Sequence, residues 1–89
     1  MLKGQFPLER FAALKTPFYY YDMALLGKTL SKVNSIVGKN PDYKVHYAVK
    51  ANFNPVILKT IASSGLGADC VSGGEIKAAL EAGFPASKI

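Results

Sequence analysis

Eighty-nine residues, of which 49% are hydrophobic, are enough for one small packed unit and too apolar for a disordered chain. The net charge of +5 arises from ten lysines, one arginine and six acids. Those lysines are dispersed rather than gathered with arginine into a stripe, which argues against a nucleic-acid partner.

The apolar runs fall far short of a bilayer span, and no signal-peptide pattern precedes Phe11, so no membrane partner is expected. One cysteine, Cys70, has no internal partner, and a reducing, cytoplasmic setting follows. Its residue type suits a small buried hydrophobe on a strand.

From the amino end, Met1 to Lys15 is weakly patterned, with Phe6, Leu8, Phe11 and Leu14 able to form a short helical turn or an arm. Thr16-Pro17 marks a break, and Phe18-Tyr19-Tyr20-Tyr21 is a strongly strand-prone aromatic run. No basic residues interleave these rings, so a buried strand suits them better than base stacking. Asp22 is a good N-cap, and Leu26, Leu30, Val33 and Val37 then recur at helical spacing until Gly38. That predicts an amphipathic helix of about four turns.

Beyond the loop Asn40-Pro41-Asp42 come two similar units. Val45, Tyr47 and Val49 alternate with Lys44, His46, Ala48 and Lys50, the period of a strand over Val45–Lys50 with one apolar face. Asn54-Pro55 pairs an N-cap with a proline at the first helical position, and a helix is expected over Pro55–Ser64 with Ile57, Leu58 and Ile61 inward. Gly65 ends it. A second strand, Gly67–Val71, precedes a second helix, Gly73–Ala82, whose inward side is expected to hold Ile76, Ala79, Leu80 and Gly83. Phe84-Pro85 then breaks the chain, and Lys88-Ile89 reads as the start of a third strand. Such a β-α-β-α series implies a parallel sheet. If the sheet is a barrel, eight units and about 250 residues are needed, so two units are read as the opening of a larger domain.

The motifs in these units carry a resemblance. Tyr47-Ala48-Val49-Lys50-Ala51-Asn52, Gly67-Ala68-Asp69 and Val71-Ser72-Gly73-Gly74-Glu75 together resemble the N-terminal part of the diaminopimelate decarboxylase family. These are pyridoxal-phosphate enzymes of the alanine-racemase-like barrel fold, and the likeness runs from about Thr16 to Ile89. The resemblance implies an α/β fold, the opening portion of a (β/α)8 TIM-type barrel. Residues 1–22 would be an arm and strand contributed to a second, β-rich domain, and residues 23–89 the first helix and first two βα units. It also implies a homodimer, an amino-acid substrate, and conversion of meso-diaminopimelate to L-lysine and CO2. Sister decarboxylases acting on ornithine, arginine or carboxynorspermidine are the alternatives, as is a non-catalytic pyridoxal-phosphate-binding regulatory protein of the same fold. The 89 residues alone are expected to be inactive.

Four residues stand out on this reading. Lys50 is the expected attachment point: its amine condenses with the cofactor aldehyde to a Schiff base, which needs a lysine whose pKa is lowered by burial or a neighbouring cation. Without the resemblance, a lysine at a strand end is ordinarily one that snorkels to water. Asp69 alternates away from Ala68 and Cys70 and is expected to face inward, near the cofactor and the Lys50 amine, because an unpaired carboxylate on a buried strand is costly. Ser72 and Glu75 fit a capping box at the start of the second helix, which opens on the Lys50 rim. Both are carried as cofactor-binding positions, Glu75 on the family resemblance. His46, deeper on the Lys50 face, is expected to be a satisfied core or barrel-floor residue. No metal-ligand spacing and no nucleotide-binding glycine loop occurs.

Overall fold

The computed structural model describes residues 2–89. Its elements follow the local chemistry of the chain. Helix α1 (Leu8–Ala12) is a single short turn in the arm. Helix α2 (Met23–Val37) begins where Asp22 Oδ1 accepts the Leu25 N–H at 2.9 Å, and Leu30 is its one buried residue. Strand β1 (His46–Ala48) is followed at once by a 3-10 turn, Val49–Ala51. Helix α3 (Pro55–Ser63) is capped by Asn54, whose side chain accepts from the Val56 and Ile57 amides. Strand β2 (Gly67–Asp69) leads through a bend to helix α4 (Gly73–Ala82), and a last 3-10 turn covers Ala86–Lys88. Gly65 and Gly83 end α3 and α4 with positive φ, 93° and 104°, where a side chain would be strained.

The two strands are parallel, pairing His46 with Gly67, Tyr47 with Ala68 and Ala48 with Asp69. Alternation divides each strand into two faces. Val45, Tyr47 and Val49, with Leu66 and Ala68, lie against Ile57, Leu58 and Ile61 of α3, Ala79 of α4, Leu30 and Phe84. Val49 and Leu58 are the largest fully buried side chains. The opposite face carries His46, Ala48, Gly67 and Asp69.

Several details depart from the sequence-based expectation. Both strands are shorter than predicted, ending at Ala48 and Asp69 instead of Lys50 and Val71. Burial of Val49 beneath α4 turns the backbone out of the ladder one residue after Ala48. The predicted start of a third strand is instead the 3-10 turn ending at Lys88. Ile89 nonetheless packs against the core, and Lys88 Nζ donates to the Gly65 carbonyl at 3.0 Å, near the carboxyl end of α3. Phe18–Tyr21 is irregular, since no strand lies beside it among the described residues. Its rings form a cluster with the arm: Phe11 meets Phe18 and Tyr20 at centroid distances of 5.4 and 4.9 Å. Finally, α4 packs through alanines. Ala79 is buried and Ala78 and Ala82 are half-buried, whereas Ile76 and Leu80, expected inward, are exposed on the flank beyond them.

Candidate functional site

Because the strands are parallel, their carboxyl ends share one rim, and side chains that act in α/β proteins of this kind gather there. Lys50 occupies the middle of the turn that leaves β1. Val49, before it, is fully buried, and Lys50 itself is exposed. Among the described residues its amine has no hydrogen-bond or ion-pair partner; the one ion pair is Lys77 with Glu81 at 3.9 Å, on the outside of α4. Across the same rim, α4 opens at Ser72. Its Oγ accepts the Glu75 N–H at 3.2 Å, as a capping residue should. The reciprocal bond of the predicted box is displaced by one residue: Glu75 Oε1 accepts from the amide of Val71, the residue before the cap, at 3.1 Å. Glu75 thereby fixes the bend between β2 and α4.

Asp69 lies at the end of β2, in register with Ala48 and on the face opposite the core. It is exposed, and it makes no ion pair with Lys50 among the described residues. An exposed carboxylate incurs little desolvation cost and needs no partner. Cys70 follows it, half-buried against the core. Burial pushes its thiol above the ordinary value, and the Glu75 and Asp69 carboxylates push in the same direction. His46 is exposed at the amino end of β1, where its ring lies over Gly67 and lines one pocket with Asp69, Cys70 and Ile89.

Sequence reasoning missed Asn52 and Tyr21. Asn52 Nδ2 donates to the Tyr21 hydroxyl at 3.1 Å, joining residues 31 apart in the chain. Local spacing carries no signal of such a contact. A cavity of about 650 Å3 lies at the opposite end of the strands among Asn34, Tyr43, His46 and Lys88, away from the rim.

The donor set on the rim suits an aldehyde cofactor bearing an anionic group. It comprises an uncommitted primary amine, a carboxylate on the neighbouring strand, and a capped helix start. Gly73 and Gly74 leave the helix start open, with Ser72 Oγ the one nearby side-chain atom beside Gly74.

The arrangement is thus that of an α/β unit whose parallel strands bring Lys50, Asp69 and the start of α4 to one rim. Sequence comparison names the family: the model of the pyridoxal-binding domain of the pyridoxal-dependent decarboxylases matches residues 26–89, and the chain belongs to that family. It is 62% identical over 88 residues to a diaminopimelate decarboxylase of Bacteroides thetaiotaomicron, covering 99% of this chain and 23% of that protein. It is 43% identical over 81 residues to one of Helicobacter pylori, covering 91% and 20%. With one of Aquifex aeolicus it shares 40% identity over 74 residues, covering 83% and 17%. The chain therefore spans roughly a fifth of the length of these relatives. No solved structure matches it.

Proposed function

We propose that the chain is the N-terminal segment of a longer pyridoxal-phosphate-dependent decarboxylase that removes CO2 from meso-diaminopimelate and leaves L-lysine. One observation carries the reading. Lys50 of the Tyr47–Asn52 motif stands uncommitted on the strands' carboxyl rim, in a chain that matches diaminopimelate decarboxylases over nearly its whole length. The relatives' shared name favours diaminopimelate over ornithine, arginine or carboxynorspermidine.

In this proposal Lys50 holds the cofactor through its side-chain amine. When bound, pyridoxal phosphate supplies a conjugated ring that accepts the electrons left on the substrate carbon as CO2 departs. The chain's own residues prepare the place. The Schiff base forms through a free lysine amine, and among the described residues no hydrogen-bond or ion-pair partner occupies that of Lys50. Asp69 offers a carboxylate on the adjacent strand, able to balance a cationic group of the cofactor. Ser72 and Glu75 act on the shape of the rim. Ser72 caps α4, and Glu75 holds the Val71 amide, so the backbone amides at the start of the helix keep a fixed direction.

Residues 1–22 would serve a second, β-rich domain and residues 23–89 would open the barrel, with the longer protein a cytoplasmic homodimer. No helix among the described residues is long and apolar enough to cross a membrane. The test of the substrate is release of CO2 by the longer protein from each of the four amino acids. Diaminopimelate should be turned over with the highest kcat/KM, and a preference for any of the other three overturns the assignment.

A further inference from the structure

The turn that carries Lys50 is fastened on both sides, by different means. Before it, Val49 is fully buried in the core. After it, the fastening is polar and concentrated in Asn52. The Asn52 N–H closes the turn on the Val49 carbonyl at 3.1 Å, and the Asn52 carbonyl accepts from the Tyr47 hydroxyl at 2.8 Å. Its side-chain oxygen accepts the Asn54 N–H at 2.9 Å, and its Nδ2 donates to the Tyr21 hydroxyl at 3.1 Å. One residue thus engages its backbone donor, its backbone acceptor and both ends of its amide. Three of those bonds are local to β1 and the start of α3. The fourth reaches the segment that leads into α2.

Lys50 lies two residues from Asn52, inside the loop these bonds close. Its Cα therefore cannot shift without drawing Val49 from the core or breaking the set at Asn52. Tyr47 is suited to its part: burial pushes the phenol's pKa up, so it stays a neutral donor to the Asn52 carbonyl.

We infer that Asn52 is a positioning residue for Lys50, bridging Tyr47 and Tyr21 so that the lysine amine is presented in one place. Through Tyr21, that place is tied to the segment ahead of α2. The inference rests on the reading of Lys50 as the cofactor's attachment point. The Asn52–Tyr21 bond joins an exposed ring to a half-buried amide outside the apolar core, so its loss should disturb the turn far more than the fold.

The test uses the longer protein, stripped of cofactor and then titrated with pyridoxal phosphate, in five forms: parent, Tyr21→Phe, Asn52→Ala, the double variant of these two, and Lys50→Ala. Four readouts are taken: melting temperature, cofactor affinity, the pH midpoint of the bound cofactor's visible band, and the peptide labelled after borohydride reduction. Tyr21→Phe should melt within about 3 °C of the parent. Its cofactor affinity should fall about tenfold or more, as small misplacements of reacting groups do. The pH midpoint should move by about half a unit, because the amine's surroundings change. Asn52→Ala should lose at least as much, and adding Tyr21→Phe to it should cost nothing further, since the two act through one bond. Parent affinity and midpoint in Tyr21→Phe would overturn the inference, whether or not Asn52→Ala folds. Loss of the reduced adduct in Lys50→Ala alongside such a result would confine the failure to Asn52. Retention of that adduct in Lys50→Ala would instead overturn the cofactor reading and the Asn52 role together.

Discussion

At the scale of single residues, the rim is a set of side chains that the core leaves free. Lys50 is exposed because Val49 before it is buried, and Asp69 is exposed because Ala68 before it is buried. The proposal gives Asp69 a charge-dependent role, and Asp69→Asn tests it. In the longer protein this change should leave the melting temperature within about 3 °C, since an exposed group without a partner contributes little to stability. Activity should fall and its pH profile should shift, because a carboxylate that balances charge at the site has been neutralised. A loss of stability with an unchanged profile would assign Asp69 a purely structural part. The position of Lys50 on the rim was legible because strand alternation and the Asn54-Pro55 helix start are both local patterns. The turn that carries it was not, because its shape depends on Val49 sinking beneath α4, a contact no local pattern encodes. Asn52 was hidden for the same reason, its decisive partner lying 31 residues earlier.

At the scale of elements, caps and close approaches decide the boundaries. In the longer protein, Ser72→Ala removes the acceptor for the Glu75 N–H and should cost about 1 kcal/mol, read as a shifted denaturation midpoint. Gly67 has no room for a side chain: a Cβ there would lie 2.5 Å from the His46 ring and 2.7 Å from the Lys88 carbonyl oxygen. The ring can swing away but the backbone cannot. Gly67→Ala should therefore destabilise by about 1–3 kcal/mol in the same measurement. Asp22 links two elements, accepting from the Gln5 amide of the arm at 2.8 Å and from the Leu25 amide of α2 at 2.9 Å. The Gln5 bond first, then the Leu25 bond, lowers its pKa below the ordinary 3.8. A folded-state value below the unfolded one stabilises above the ordinary pKa, and the contribution is lost as pH falls through the depressed value. Protection of the Gln5 amide against hydrogen exchange should therefore decline only in acid below that range, and Asp22→Asn should abolish this dependence. The three longer helices and the two strands were legible in kind and order, since periodicity, N-caps and glycine stops are local. Strand lengths and the outward turn of Ile76 and Leu80 were not. Those depend on which neighbours an element meets, and α4 meets α3 through alanines small enough to let it approach closely.

At the scale of the whole molecule, two parallel strands with three larger helices leave much unfinished. The sheet has two strands, and apolar side chains including Phe53, Val56, Val71, Ile76 and Leu80 are exposed around it. Parallel sheets are stable when covered on both faces, and open edges invite pairing with other chains. The 89 residues made alone should accordingly show no cooperative melt by circular dichroism and no slowly exchanging amides in β1 and β2. A cooperative transition in a monomer would contradict this and mark the segment as an autonomous domain. The fold class was legible from the spacing of two βα units, whereas the arrangement of the aromatic run Phe18–Tyr21 was not, because a strand is defined by a partner its own residues do not name. The central claim is that Lys50 is the point of cofactor attachment, and reduction of the cofactor-loaded longer protein with borohydride, followed by peptide mapping, tests it most directly. The account predicts one modified peptide, containing Lys50, which disappears in Lys50→Ala together with the visible absorbance. A modified lysine anywhere else in the protein would contradict it.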